Sequence, residues 1–220
     1  MIIPIIKDWY DDRVDLYNKD EVEINPNVVT ILVGCNGSGK STLLRQINNH
    51  LKESEDIKII NYNNLHQGGN NALQSLLNKG NLSALATGAM SSEGENIHQN
   101  IGRIFGTLRE IILNNKVSKL FMLFDAIDSG LDIANIDEIV IAFKEAVIPE
   151  VINMGMDIYI IISTNSYEFC IDNDCISMDT LSHIEINSYD EFKQIILDSD
   201  ERKNKRYEKI NNIVERKRNR

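Results

Sequence analysis

The sequence predicts an α/β domain: a mixed, mainly parallel sheet flanked by helices, with a small helical or loop insertion. Three observations predict it. Apolar, β-branched runs of strand length recur at 28–33, 120–124 and 158–162. Each reads as a strand buried on both faces, the habit of parallel sheets. The first runs directly into Gly34-Cys35-Asn36-Gly37-Ser38-Gly39-Lys40-Ser41-Thr42, a complete G-x-x-x-x-G-K-[ST] loop, and then into the helical sequence Leu43-Leu44-Arg45-Gln46-Ile47. With 220 residues, 42% of them hydrophobic and 25% charged, the chain has room for one large domain and is cramped for two.

The loop carries the first chemical reading. Its glycines let the backbone approach a ligand closely, and its N–H groups together with the following helix N-terminus favour an anion. Asn36, Gly37, Ser38, Gly39, Lys40, Ser41 and Thr42 are therefore the expected nucleotide-binding residues. Lys40 would reach the outer phosphates of a nucleotide, and the Ser41 hydroxyl would hold Mg²⁺, a hard cation that prefers oxygen. The run Leu120–Phe124 ends in Asp125, at the carboxyl end of a buried strand, where such sheets bind their ligands. Asp125 is thus expected beside the loop as the second magnesium partner, acting through the ion's water shell.

Taken in order, residues 2–6 and 21–24 read as short strands around an acidic turn, Asp11-Asp12, leading into the loop strand. Trp9, Tyr10 and Tyr17 lie 23 to 31 residues before Lys40, and each is either core or a ring for stacking on adenine. The first helix should end near Lys52, followed by a strand at 57–62. From Asn63 to Gly94 the sequence is Asn-, Gly- and Ser-rich with one helical patch, too long for a plain connection. Gln67, at its head, can hydrogen-bond a metal-bound water or a terminal phosphate and is a candidate catalytic and metal-site residue. Ile97, Ile101, Ile104, Leu108 and Ile111 then mark one face of a helix, with Ser92-x-Gly94-Glu95 at its N-terminus.

Asp132 is the expected cap of a helix marked by Ile133, Ile136, Val140, Phe143 and Val147, which Pro149 should kink and Gly155 end. Thr164-Asn165-Ser166 follows the strand at 158–163. A hairpin is expected around Asp179-Thr180, and Ser188-x-x-Glu191 is a capping box for a helix from Tyr189 to about Leu197. The division expected is a nucleotide-binding domain over 1–198, with its insertion at about 63–95, and a basic helix or tail over 199–220.

Charge and cysteine usage bound the partners. The net charge of −10 conceals a body of −16 over 1–200 and a tail of +6 over 201–220. Arg202, Lys203, Lys205, Arg206, Arg216, Lys217, Arg218 and Arg220 make that tail a candidate DNA contact, although basic runs are commonly only solvated surface. Three cysteines without C-x-x-C spacing suggest a reducing cytoplasm, and neither a signal peptide nor a membrane-spanning run is read.

Together, the G-x-N-G-S-G-K-S-T loop, Ser92-x-Gly94-Glu95 before a helix, and an apolar strand with Asp125 followed by Ser129-Gly130-Leu131-Asp132 resemble the nucleotide-binding domain of the ABC ATPase superfamily. The resemblance runs from about Ile2 to Tyr189. The Glu after Ser-x-Gly, and Asp-x-x-Asp in place of Asp-Glu-Pro, are closer to the stand-alone heads of SMC-type and RecF-type proteins of bacteria or phages than to transporter subunits. It implies a homodimer closed by ATP, in which Ser92 and Gly94 of one subunit meet the nucleotide on the other, Asp132 lies at the seam, and Gln67 is the sensor glutamine. Two positions depart from the pattern. Ala126 stands where the family places the glutamate that activates water, and Asn165 stands where it has a histidine. Loss of a general base typically costs 10²–10⁴-fold, so weak hydrolysis is expected, with Asp128 the candidate substitute base and Asn165 a further catalytic candidate.

Overall fold

The computed structural model describes residues 1–10, 14–63, 117–128 and 131–218, with side chains omitted at 8–10. Its centre is a six-stranded sheet. The strands are β5 (Val28–Val33), β6 (Ile57–Asn63), β7 (Lys119–Asp125), β8 (Asp157–Ser163), β9 (Asp174–Ser177) and β10 (Ser182–Ile184), in the order β10-β9-β5-β8-β7-β6. All neighbours are parallel except β10, which turns back antiparallel to β9. This is the expected mixed α/β sheet, and the hairpin around Asp179-Thr180 supplies its antiparallel edge.

Strict alternation decides how each strand is covered. On β7, Leu120, Met122 and Phe124 enter one apolar layer while Phe121 and Leu123 enter the other; on β8, Ile158, Ile160 and Ile162 oppose Tyr159 and Ile161. Phe121 and Tyr159 stack face to face with centroids 4.3 Å apart. Both faces of these two strands are therefore dry, which puts their polar groups at the strand ends.

The second layer holds α1 (Lys40–Leu51), whose Leu43, Leu44, Ile47 and Leu51 lie against it. Two small ribbons flank the domain: β1 (Ile2–Pro4) pairs with β4 (Glu21–Glu23), and β2 (Asp8–Tyr10) with β3 (Val14–Asp15). The first layer is closed by α2 (Ile133–Ile141), a π-helical stretch at Ala142–Val147, and α3 (Ile148–Asn153). Asp132 caps α2 as expected, accepting from the Asn135 N–H at 2.8 Å. Pro149 has no N–H for the carbonyl four residues back, and the widened turn falls just before it. Gly155, with φ +77°, ends α3.

The clearest departure from expectation is α4 (Tyr189–Arg218), a 30-residue helix where the apolar pattern stops at Leu197. Its capping box forms, with the Glu191 N–H donating to Ser188 Oγ and Glu191 accepting from the Asn187 N–H. The helix then runs on through polar sequence supported by the Asp200–Lys203 and Glu201–Lys205 pairs. The expected division at 198/199 falls inside it. Cys35, Cys170 and Cys175 are free and buried, and no described helix is long and apolar enough to cross a membrane.

Candidate functional site

The parallel strands deliver their last residues to one line. Asn63, Asp125 and Ser163 are in register across β6, β7 and β8. Beside them the chain leaves β5 and turns into α1. Gly39 occupies the N-cap of α1 at φ +107°, and Gly37 has φ +82°. These conformations are closed to residues with a Cβ, and they fold the loop over the helix N-terminus. A cleft of about 320 Å³ results, lined on this side by Asn36, Gly37, Gly39, Lys40, Ser41 and Thr42. Ser38 is buried, and its hydroxyl has no hydrogen-bond partner among the described residues.

Lys40 is 7% exposed, and its ammonium donates to the Gly34 carbonyl at 2.6 Å, the Cys35 carbonyl at 3.1 Å and Asn165 Oδ1 at 2.9 Å. All three acceptors are neutral. Burial accordingly pushes the Lys40 pKa below the ordinary lysine range, opposed by Cys35, Asp128 and Asp125. Ser41 Oγ donates to Asp125 Oδ1 at 2.9 Å, and Asn63 Nδ2 donates to Asp125 Oδ2 at 3.0 Å. A hydroxyl and a carboxylate thus meet at one point, an oxygen donor pair that suits Mg²⁺, and the Asn63 amide N–H holds the second carboxylate oxygen. The buried cation at Lys40 and the helix N-terminus suit the phosphates.

Ala126, next to Asp125, lines the cleft with φ +54°, its N–H donating to the Ser163 carbonyl at 3.1 Å. The strand therefore ends in a left-handed turn at the position that carries no carboxylate. Asp128 lies two residues on, where its Oδ2 accepts from the Asn165 N–H at 2.8 Å. Asn165 consequently bridges Lys40 and Asp128, one by its side chain and the other by its backbone.

The structure brings Asn36, Gly37, Gly39, Lys40, Ser41, Thr42, Asp125 and Asn165 to one cleft, with Ser38 buried in the loop beneath. Gln67, Ser92, Gly94 and the helix expected after them lie outside the described residues, as do Asp11, Asp12 and the side chains of Trp9 and Tyr10. Of the candidate stacking rings, Tyr17 is core: it is fully buried, and its hydroxyl donates to the Gly39 carbonyl at 2.8 Å.

Sequence reasoning missed three residues. Asn63 was legible in principle, as the last residue of the strand beside the Asp125 strand. Arg206 and Tyr207 reach the cleft from α4, where the sequence shows only a basic tail. Arg206 Nη2 donates to the Gly37 carbonyl at 2.7 Å. Arg202 donates to the Asp179 carbonyl and to Asn18 Oδ1, while Lys203 and Lys205 pair within the helix. Arg202, Lys203, Lys205 and Arg206 are thus engaged by the protein itself.

The family model described as "ABC transporter" matches residues 17–139, more than half of the chain. Among solved structures, a nucleotide-free ATP-binding cassette from an ABC transporter is 15% identical, with a TM-score of 0.49 over 88% of this chain and 94% of that one. No curated protein matches. The loop, strand and carboxylate described above lie within the matched span, and this chain belongs to the ABC transporter family as an ATP-binding domain.

Proposed function

We propose that the chain is an ATP-dependent switch: Mg-ATP bound over α1 draws two copies into a homodimer, and slow turnover releases them. The observation that carries this reading is the meeting of Lys40, Ser41 and Asp125 at one cleft, with Asn63 bonded to the Asp125 carboxylate. When bound, Mg²⁺ would supply charge neutralisation across the outer phosphates. Ser41 and Asp125 would hold it, with Asn63 fixing the carboxylate and Gln67 reaching it from the neighbouring segment. Lys40 would exchange its neutral carbonyls for phosphate oxygens. Ser92 and Gly94 would cover the nucleotide of the partner copy, which gives the closed dimer its dependence on ligand.

Slow hydrolysis follows from Ala126. The floor of the cleft offers no carboxylate there, and Asp128 spends one oxygen on the Asn165 N–H. Steady-state ATP turnover of the chain beside Ala126→Glu and Asp128→Asn tests this: the first should gain on the order of tenfold or more. Loss of residual turnover in the second identifies Asp128 as the base. Sedimentation with and without Mg-ATP tests the dimer, with Lys40→Ala as control; a monomer unchanged by nucleotide refutes it. Glu95 after Ser92-x-Gly94, and Asp125-x-x-Asp128 in place of Asp-Glu-Pro, favour a stand-alone head of the SMC or RecF kind, while the family's own description supports the alternative of a transporter-type ATPase subunit. Stable recovery with a membrane-embedded partner would decide for the latter.

A further inference from the structure

The helix α4 lies on the phosphate-binding loop through polar contacts. The Cys35 N–H donates to Ser199 Oγ at 3.2 Å, and Ser199 is 2% exposed. One turn on, Arg202 fastens the helix to Asp179 and Asn18. After another turn, Arg206 reaches the Gly37 carbonyl, and the hydroxyl of Tyr207 lies 3.4 Å from where a Cβ on Gly37 would stand. Residues 199, 202 and 206 share one face of the helix. That face is set against the tip of the loop, with Arg206 and Tyr207 lining the same cleft as Lys40.

Arg206 is the unusual member. It is 8% exposed, yet its guanidinium meets only two carbonyls, Gly37 at 2.7 Å and Leu16 at 3.5 Å. Among the described residues no carboxylate bonds it. Asp179, whose charge it feels, is engaged by Arg202 at 3.6 Å. A guanidinium has five N–H donors and stays charged in proteins, so a buried one facing neutral oxygens carries a desolvation cost that no directly bonded carboxylate offsets. Its position supplies the reason: an anion entering the cleft between Lys40 and Arg206 would complete both.

We propose that the chain's own C-terminal helix completes the nucleotide site, with Arg206 acting as a second cation for the triphosphate alongside Lys40 and the helix staying on the loop in the bound state. The proposal rests on the nucleotide-binding reading above. It assigns to residues 199–207 a role in ligand binding within one subunit, and it draws Arg206 out of the set available to DNA.

Calorimetry of the full chain with Mg-ATP and with inorganic triphosphate tests it, using Arg206→Gln and Arg206→Lys. Arg206→Gln should weaken both ligands by roughly 10- to 100-fold, the usual worth of a charged hydrogen bond, and Arg206→Lys should recover part of the loss. Because inorganic triphosphate has no base, its parallel loss marks a phosphate contact. Unchanged affinities in Arg206→Gln overturn the proposal. Should that variant fail to fold, hydrogen exchange on the unmodified chain decides. Amides of 199–207 should gain protection with Mg-ATP, and unchanged or reduced protection means the helix does not close on the ligand. Absence of any Mg-ATP binding by the unmodified chain removes the nucleotide reading itself, an outcome distinct from tight binding that ignores Arg206.

Discussion

Replacing Gly39 by alanine should destabilise the domain by about 3 kcal/mol, the middle of the range of about 1–6 kcal/mol that its surroundings allow. A φ of +107° lies beyond even the left-handed well that other residues visit, a cost of about 1–3 kcal/mol for alanine. The new Cβ would stand 3.1 Å from Tyr17 Cε1 and Oη and 3.2 Å from Leu16 Cδ1, closer than ordinary contact. Tyr17 has no room to retreat, being fully buried and bonded through its hydroxyl to the Gly39 carbonyl. Overpacking of this kind adds about 1–3 kcal/mol, offset by about 0.4–1 kcal/mol from the stiffer unfolded chain. For a chain of this size each kcal/mol moves the melting temperature by about 2–4 °C, so thermal unfolding should shift down by roughly 5–15 °C. A shift smaller than about 2 °C would refute the claim that Gly39 is held in place by Tyr17 and Leu16.

Tyr17→Phe should cost only about 1 kcal/mol in thermal unfolding, because the Gly39 carbonyl keeps the Leu43 N–H at 2.9 Å when the hydroxyl is lost. Asp125→Asn should leave the fold intact but abolish most of the Mg²⁺ dependence of nucleotide affinity, a loss of roughly tenfold or more measured by calorimetry with and without chelator. Nucleotide binding should also depend on alkaline pH. The free protein holds the Lys40 pKa below the ordinary 10.5 by burial, and phosphate would favour the charged form and raise it. In the window between the two values binding takes up a proton, so affinity falls as pH rises through it. Calorimetry in buffers of different ionisation enthalpy should detect that proton, and Lys40→Met should lose it.

The central sheet and the loop were legible because their signals are local. A run such as Leu120–Phe124 followed by Asp125 has a single physical reading when both strand faces are dry, and the glycine spacing around Lys40 leaves little else for the backbone to do. The caps at Asp132 and Ser188 were legible for the same reason, each being a side chain that satisfies an amide within four residues. The course of α4 was not. Beyond Leu197 no apolar period marks it, and its hold on the loop comes from Ser199, Arg202 and Arg206 reaching residues more than 150 positions back, or in one case 23. Asn63 escaped notice because an amide in an asparagine-rich chain announces nothing until strand register sets it beside Asp125. Tyr17 shows the opposite difficulty: its position before the loop suits a stacking ring, and only burial reveals that it props the loop from beneath.

The stiffness of α4 links events at the phosphate loop to a distant point. From Ser199, where the helix touches the Cys35 amide, to Arg218 is roughly 28 Å of uninterrupted helix at 1.5 Å per residue. A pivot of about 10° at that contact, too small to disturb the sheet, would sweep the far end through about 5 Å at the same rise per residue. Any such tilt would therefore be magnified at the outermost arginines.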